Sequence, residues 1–100
     1  MSRKLFVTSS AESDILDGFL DYEERLDELG ERFLDEVEDS FYRIESNPYL
    51  YQEIEEGIRK SITHTFPYLV FYTIEKDASF VLAIIHAAQD PKYIASRLDA

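Results

Sequence analysis

Residues 66–85 read FPYLVFYTIEKDASFVLAII, and this stretch decides the fold class. Aromatic and β-branched side chains, which favour strands, dominate residues 66–74 and again residues 80–85. The five residues between them, EKDAS, are small or polar, as is typical of a turn. We therefore predict a β-hairpin here. Residues 4–8 and residues 58–64 are shorter strand candidates.

Both faces of the predicted hairpin are apolar. In the first strand the two faces carry Val70, Tyr72 and Ile74 against Leu69, Phe71 and Thr73; in the second they carry Leu82 and Ile84 against Val81, Ala83 and Ile85. Helices on one side cover only one of these faces. We expect the other face to be covered by the C-terminal segment (Tyr93, Ile94, Leu98), by a second copy of the chain, or by a partner protein.

Two amphipathic helices are predicted between residues 9 and 46. Ser9 and Glu12 have the spacing of a capping box, so we expect the first helix to begin there and to end at Gly30. The second helix should end before Asn47-Pro48, because proline disfavours helical geometry in the residue before it. The apolar stripes are Ile15, Phe19, Tyr22, Leu26 and Leu29, widened by Leu16 and Leu20, and then Phe33, Val37, Phe41 and Ile44, flanked by Leu34.

The predicted fold class is therefore α+β: a strand, a two-helix antiparallel hairpin, and then a three-stranded, mostly antiparallel sheet. One hundred residues suit a single domain spanning residues 1–100. The chain has no cysteine, and no segment approaches the ~18 apolar residues of a membrane-spanning helix. We expect a soluble, cytoplasmic protein with no membrane partner. The two histidines, His64 and His86, lack metal-ligand spacing, so no metal or cofactor is predicted.

Negative charge is concentrated in the predicted helices. The formal net charge is −11, but residues 12–56 alone carry −14, and residues 57–100 carry +1. Such a balance argues against a protein whose whole surface holds phosphate backbones. It does not exclude a local phosphate site in the near-neutral second half.

Several short motifs follow one another along the chain in an order that is informative as a set. They are the opening strand followed by Ala11 and Asp14-Ile15, then Tyr22-Glu23, Leu29-Gly30-x-x-Phe33, Ile44-x-x-Asn47-Pro48, Gly57-Ile58-Arg59, Phe66-Pro67-Tyr68-x-Val70-x-Tyr72, and Leu82-Ala83-Ile84-x-His86 running into Asp90-Pro91. In this order the chain resembles the RelE/ParE superfamily of bacterial type II toxins, also called plasmid stabilisation proteins. The resemblance spans nearly the whole chain.

The resemblance implies a small toxin that arrests growth and is neutralised by a cognate antitoxin. RelE-like members cut messenger RNA on the ribosome with basic side chains and an acid–base residue, whereas ParE-like members poison DNA gyrase. The assembly would be a homodimer or a toxin–antitoxin hetero-oligomer. The fold alone does not separate the two activities.

RNA cleavage without a metal needs an acid, a base and cations aimed at the phosphate. The candidate catalytic residues are His86, Arg59, Tyr93 and Arg97. Many relatives carry arginines just after the histidine, where this chain has Ala88 and Gln89. Each candidate also has a purely structural interpretation: a hydrogen-bonded strand end for the histidine, an ion pair with nearby acids for Arg59, and packing or capping for the last two.

The missing cations and the acidic helices favour a ParE-like toxin that binds a protein target such as DNA gyrase, and so not an enzyme. The first alternative is a RelE-like, ribosome-dependent mRNA endonuclease that needs no metal, and the second is a detoxified member that only binds. Antitoxins of the family dock across the toxin, so an apolar docking face is predicted. Its residues are Leu69, Phe71, Ile85, Ile94 and Leu98.

Overall fold

The computed structural model describes residues 4–99, which form an α+β fold with three helices and a five-stranded sheet. In chain order the elements are β1 (Lys4–Val7), α1 (Ser9–Arg25), α2 (Leu29–Ser46), β2 (Glu53–Glu55), β3 (Ile58–Ile62), β4 (Tyr68–Glu75), β5 (Ala78–His86) and α3 (Pro91–Asp99). The predicted fold class is confirmed. Within these residues no helix is long and apolar enough to cross a membrane.

The sheet has the strand order β1-β5-β4-β3-β2. Strand β1 runs parallel to β5, and the other three pairs are antiparallel. The prediction of three strands after the helices was one too few, because β2 at the sheet edge was missed. Its three residues, Glu53–Glu55, contain a single apolar side chain and are too few to show the alternation over four or more residues that indicates a strand.

Helix α1 is capped by Thr8 and not, as predicted, by Ser9. The Thr8 Oγ1 accepts a hydrogen bond from the Ala11 backbone N–H at 3.3 Å and donates one to the Val81 carbonyl at 2.9 Å. Because this hydroxyl is engaged at the end of β1, it both begins the helix and ties it to β5.

The turn between the helices also differs from the prediction. Helix α1 ends at Arg25, the left-handed residue is Glu28 with φ of 73°, and Gly30 lies inside α2. The Glu23 carboxylate accepts hydrogen bonds from the backbone N–H groups of Glu28 (3.2 Å) and Gly30 (3.0 Å). It thereby satisfies donors at the start of α2 that no residue of the helix can reach. The end of α2 before Asn47 is confirmed.

Gly30 is required for close packing of the helices. A Cβ at this position would lie 2.7 Å from the Phe19 carbonyl oxygen and 2.8 Å from its ring. The apolar stripe of α1 is also narrower than predicted: Leu16, Leu20 and Leu26 are all more than half exposed. The first two lie on the side of α1 opposite its buried residues, and Leu26 follows the end of the helix.

A β-bulge in the β4–β5 hairpin changes which residues of β5 lie on each face of the sheet. Tyr72 pairs with Val81 and Phe71 pairs with Ala83, so Leu82 has no partner on β4. The extra residue reverses the alternation within β5. Val81 therefore joins the main core with Ile84, and the prediction that it shares a face with Ala83 and Ile85 was wrong.

The second face of the sheet is covered by α3, which is one of the three covers that the sequence left open. Phe71, Ala83 and Ile85 are buried there at 2%, 0% and 3% exposure. Partly buried apolar side chains pack around them; these are Ile58, Leu69, Ile94 and Leu98. The chain itself thus supplies a small second core.

The segment that connects β3 to β4 is fixed to α2 by Glu36. Its Oε1 accepts hydrogen bonds from the backbone N–H groups of Thr65 (2.7 Å) and Phe66 (3.1 Å). Burial alone would raise the pKa of Glu36, but the hydrogen bonds from Thr65 and Phe66, helped by the nearby His64, outweigh burial and lower it.

Replacing Gly30 with alanine should destabilise the protein. Alanine favours an isolated helix by about 0.8–1 kcal/mol, but the clash with the Phe19 backbone should cost about 1–3 kcal/mol. We expect a lower urea midpoint for Gly30→Ala, and an unchanged one for Ser13→Ala on the exposed side of α1. A Gly30→Ala variant as stable as the wild type would contradict this account of the helix crossing.

Glu36→Gln should make stability less dependent on pH. Because folding lowers the pKa of Glu36, its carboxylate stabilises the fold above the unfolded value of about 4.3, and this contribution disappears as the pH falls through the folded pKa. The wild type should therefore exceed Glu36→Gln in urea stability at neutral pH, with the difference shrinking under acid. The exposed Glu38→Gln on the same helix is the control. A difference independent of pH would be inconsistent with this role.

Candidate functional site

A cleft of about 300 Å³ opens between α1, the end of β5 and α3. It brings together three of the four predicted catalytic residues, His86, Tyr93 and Arg97, although they come from a strand and a separate helix. The rest of its lining consists of three aspartates, one tyrosine, two isoleucines, a glycine and a glutamine: Asp14, Asp17, Asp21, Tyr68, Ile84, Ile85, Gly18 and Gln89.

The guanidinium of Arg97 is held by Asp14. Its Nη1 and Nη2 donate hydrogen bonds to the two Asp14 carboxylate oxygens at 2.9 and 2.7 Å, and Nη1 also bonds the Tyr93 hydroxyl at 2.9 Å. The side chains are only 21% and 13% exposed for Arg97 and Asp14. The hydrogen bond to Asp14 raises the pKa of Arg97 despite burial. This bidentate pair uses the positive charge inside the protein and leaves little of it for a ligand.

Asp14 also completes the edge of the sheet. Its Oδ2 accepts a hydrogen bond at 2.9 Å from the backbone N–H of Ile84 on β5. Strand β1 pairs with β5 only from Ala78 to Val81, so it does not reach this N–H. One carboxylate therefore joins α1, β5 and α3.

His86 lines the cleft as the last residue of β5. Its Nδ1 accepts a hydrogen bond from the Ala88 backbone N–H at 3.0 Å, an arrangement in which the ring proton lies on Nε2. The Tyr68 ring stands edge-on to it at 5.2 Å. Burial, with a smaller contribution from Tyr22, raises the pKa of Tyr68 to about 12, so this hydroxyl stays protonated at neutral pH.

Arg59 lies apart from this cleft. It pairs with Tyr72 across β3 and β4, whereas His86 pairs with Tyr68 at the other end of β4. Its Nη1 donates a hydrogen bond to the Tyr51 carbonyl at 2.6 Å, and Nη2 is 3.7 Å from a Glu53 carboxylate oxygen. Its local contacts are those of a structural ion pair.

The electrostatic field of the cleft does not favour a phosphate. Among residues 4–99, the lining includes one Arg or Lys side chain, Arg97, against three aspartates. Asp21 is paired with Arg25 on the surface at 3.0 Å, an exposed pair that contributes little. Ala88 and Gln89 are exposed and uncharged, and Gln89 lines the cleft. An incoming phosphate would therefore be repelled by the walls.

The predicted docking residues form one contiguous group at the contact between α3 and the sheet. Phe71 and Ile85 are buried, and Leu69, Ile94 and Leu98 are partly buried around them. An apolar groove of about 270 Å³, lined by residues that include Leu69, Ile94 and Leu98, runs beside this group.

Sequence reasoning missed Asp14 as the partner of Arg97, as well as Asp17, Asp21 and Tyr68 as walls of the cleft. The Asp14-Ile15 motif marked the position without indicating a role. A signal was present in the helical periodicity: Asp14 stands three residues after Ala11 and directly before Ile15 of the apolar stripe, so it borders the inward side of α1, where an aspartate needs a partner.

The family model described as "ParE toxin of type II toxin-antitoxin system, parDE" matches residues 5–91. A structure of the chromosomal ParDE TA system from P. aeruginosa is 15% identical, with a TM-score of 0.65 over 85% of this chain and 96% of that one. The free state of an E. coli RelE toxin with two arginines replaced by alanine is 10% identical, with a TM-score of 0.60 over 99% and 97%. At these identities the likeness shows a shared fold. No curated protein matches.

Removing the Asp14 carboxylate should be costly. In Asp14→Ala the Arg97 guanidinium and the Ile84 N–H both lose a partner, for which we expect about 2–3 kcal/mol of lost unfolding free energy. The matched control is Asp17→Ala, which removes an exposed carboxylate one turn later on α1. Equal stability of the two variants in urea unfolding would refute the bridging role of Asp14.

Proposed function

Because the chain belongs to the ParE toxin family of type II toxin–antitoxin systems, we propose that it acts by binding a protein target such as DNA gyrase. The observation that carries this proposal is the state of Arg97. The one guanidinium or ammonium group among the described residues lining the cleft is held by Asp14 in a bidentate pair. A toxin that works by binding a protein has no need of a cation aimed at a phosphate.

RNA cleavage imposes demands that this cleft meets poorly. Charge builds up on the phosphate in the transition state, so preorganised cations are a large part of the catalytic effect. Here Arg97 would have to leave Asp14, uncovering a carboxylate in the same cleft. One ring nitrogen of His86 is already engaged by the Ala88 N–H.

An mRNA endonuclease is the second candidate function. It is favoured by the meeting of His86, Tyr93 and Arg97 in one cleft, since an imidazole and a phenol are suitable proton-transfer groups. In that case the distant Arg59 would act outside the reacting centre. A family member that has lost toxicity and only binds its partners is the third.

The antitoxin would dock at the groove beside α3. Leu69, Ile94 and Leu98 offer partly exposed apolar surface there, and Phe71, although only 2% exposed, also lines the groove. The family relationship supports an antitoxin as a partner, and the apolar lining of this groove supports its location.

The proposal predicts that the purified protein in excess inhibits DNA supercoiling by gyrase, and that mRNA incubated with ribosomes and the protein stays intact. The His86→Ala variant should inhibit supercoiling as strongly as the wild type. If the protein instead cuts mRNA, loss of the acid–base group should reduce cleavage by about 10²–10⁴-fold. Supercoiling and message length are both measured on gels.

Three outcomes separate the candidates. Normal supercoiling together with His86-dependent cleavage would replace the gyrase proposal with the endonuclease. Normal supercoiling, intact message and unimpaired growth on expression without an antitoxin would favour the detoxified member. Inhibited supercoiling with intact message is the expected result.

A further inference from the structure

Two leucines are exposed on the outer side of α1, where they pack on neither core. Leu16 and Leu20 are 56% and 53% exposed, and they are one turn apart on the same side of the helix. At 100° per residue they lie opposite Ala11, Gly18 and Tyr22, the buried residues of α1. Neither is among the apolar side chains packed on the two cores.

The leucines stand in a regular row with acidic residues at both ends. Glu12, Leu16, Leu20 and Glu24 follow each other at steps of four, and all four are exposed. Steps of four place side chains in line along a helix. The row is therefore a narrow apolar patch closed by a carboxylate at each end, with Asp17 beside it.

The charge around this row limits what can cover it. A second copy of the chain would bring the same carboxylates together, in molecules of net charge −11 each. Nucleic acids and anionic lipid surfaces would be repelled in the same way. A protein surface with apolar side chains between lysines or arginines complements both the leucines and their acidic ends.

We propose that the row Glu12–Leu16–Leu20–Glu24 is the docking surface for a basic, apolar-centred surface of the protein target. This inference rests on the proposed function, because it requires a target that is bound and not cut. Helices α1 and α2 cover one face of the sheet and α3 covers the other, so the row is on the opposite side of the sheet from the groove beside α3. The leucines act as the desolvated centre, and the carboxylates set orientation and association rate.

The test removes the leucines and the acids separately. Leu16→Gln/Leu20→Gln is compared with Leu50→Gln/Ile62→Gln, which removes two equally exposed aliphatic side chains elsewhere. Glu12→Gln/Glu24→Gln is compared with Glu31→Gln/Glu38→Gln, which makes the same change of charge on exposed positions of α2. Urea unfolding verifies that all four variants are folded. Binding to immobilised purified gyrase and growth arrest on induced expression are measured for each.

We expect the Leu16→Gln/Leu20→Gln variant to bind gyrase at least about 10-fold more weakly than the wild type and to lose growth arrest, because truncation at the centre of an interface is costly. Its control should remain near wild type. The Glu12/Glu24 pair should bind more weakly than the α2 pair at low salt. This difference should vanish near 1 M salt, where charges are screened within about 3 Å.

The two proposals fail differently. If the Leu16→Gln/Leu20→Gln variant binds gyrase and arrests growth like the wild type, the docking proposal is overturned and the proposed function stays intact. Wild-type protein that arrests growth without binding gyrase overturns the gyrase proposal, and the growth assay then decides the docking surface alone. A wild type that neither binds nor arrests growth overturns both. A dimer in light scattering that the leucine pair dissociates would assign the row to self-association and overturn the docking proposal.

Discussion

The short first strand is the constraint on which much of the structure depends. Strand β1 ends at Val7, so it pairs with β5 only as far as Val81, and the edge of β5 beyond that point has no neighbouring strand. Unpaired backbone groups at a covered edge are costly. At the end of β1 the Val81 carbonyl accepts hydrogen bonds from the backbone N–H and the hydroxyl of Thr8, and beyond it Asp14 of α1 accepts the Ile84 N–H.

This solution places a carboxylate beside the candidate cleft. Once Asp14 is fixed on β5, it also binds Arg97 and so fastens α3 over the second face of the sheet. The same bond neutralises the cation that could otherwise serve a phosphate. The carboxylate that pairs with the edge of β5 therefore also sets the charge of the cleft, and this weighs against RNA chemistry there.

The charge distribution separates two surfaces of the molecule. The helical hairpin carries the acidic residues on its outer side, with Leu16 and Leu20 exposed among them. The sheet side is near neutral, and α3 borders an apolar groove there. Proteins that recognise these surfaces must differ in chemistry, one basic with an apolar centre and the other mainly apolar. Under the proposed function, the target and the antitoxin would bind these two separate surfaces.

The sequence alone determined the fold class, both helices of the hairpin, the β4–β5 hairpin and the apolar character of both sheet faces. These features follow from the periodicity of neighbouring residues, which is a local property. Periodicity also explains the errors. It predicted strict alternation through Leu82, where a bulge reverses the phase, and it counted Leu16 and Leu20 as part of the packed stripe.

Only the tertiary structure decided which cover protects the second face and which contacts the candidate catalytic residues make. The pattern near the C-terminus placed Tyr93 and Arg97 on one helix turn, but the partner of Arg97 is 83 residues away. Arg59 has the charge that a catalytic cation needs, but its contacts are those of a structural ion pair. Such roles depend on which distant side chains meet, and this is set by how the helices and strands pack, not by the spacing of residues along the chain.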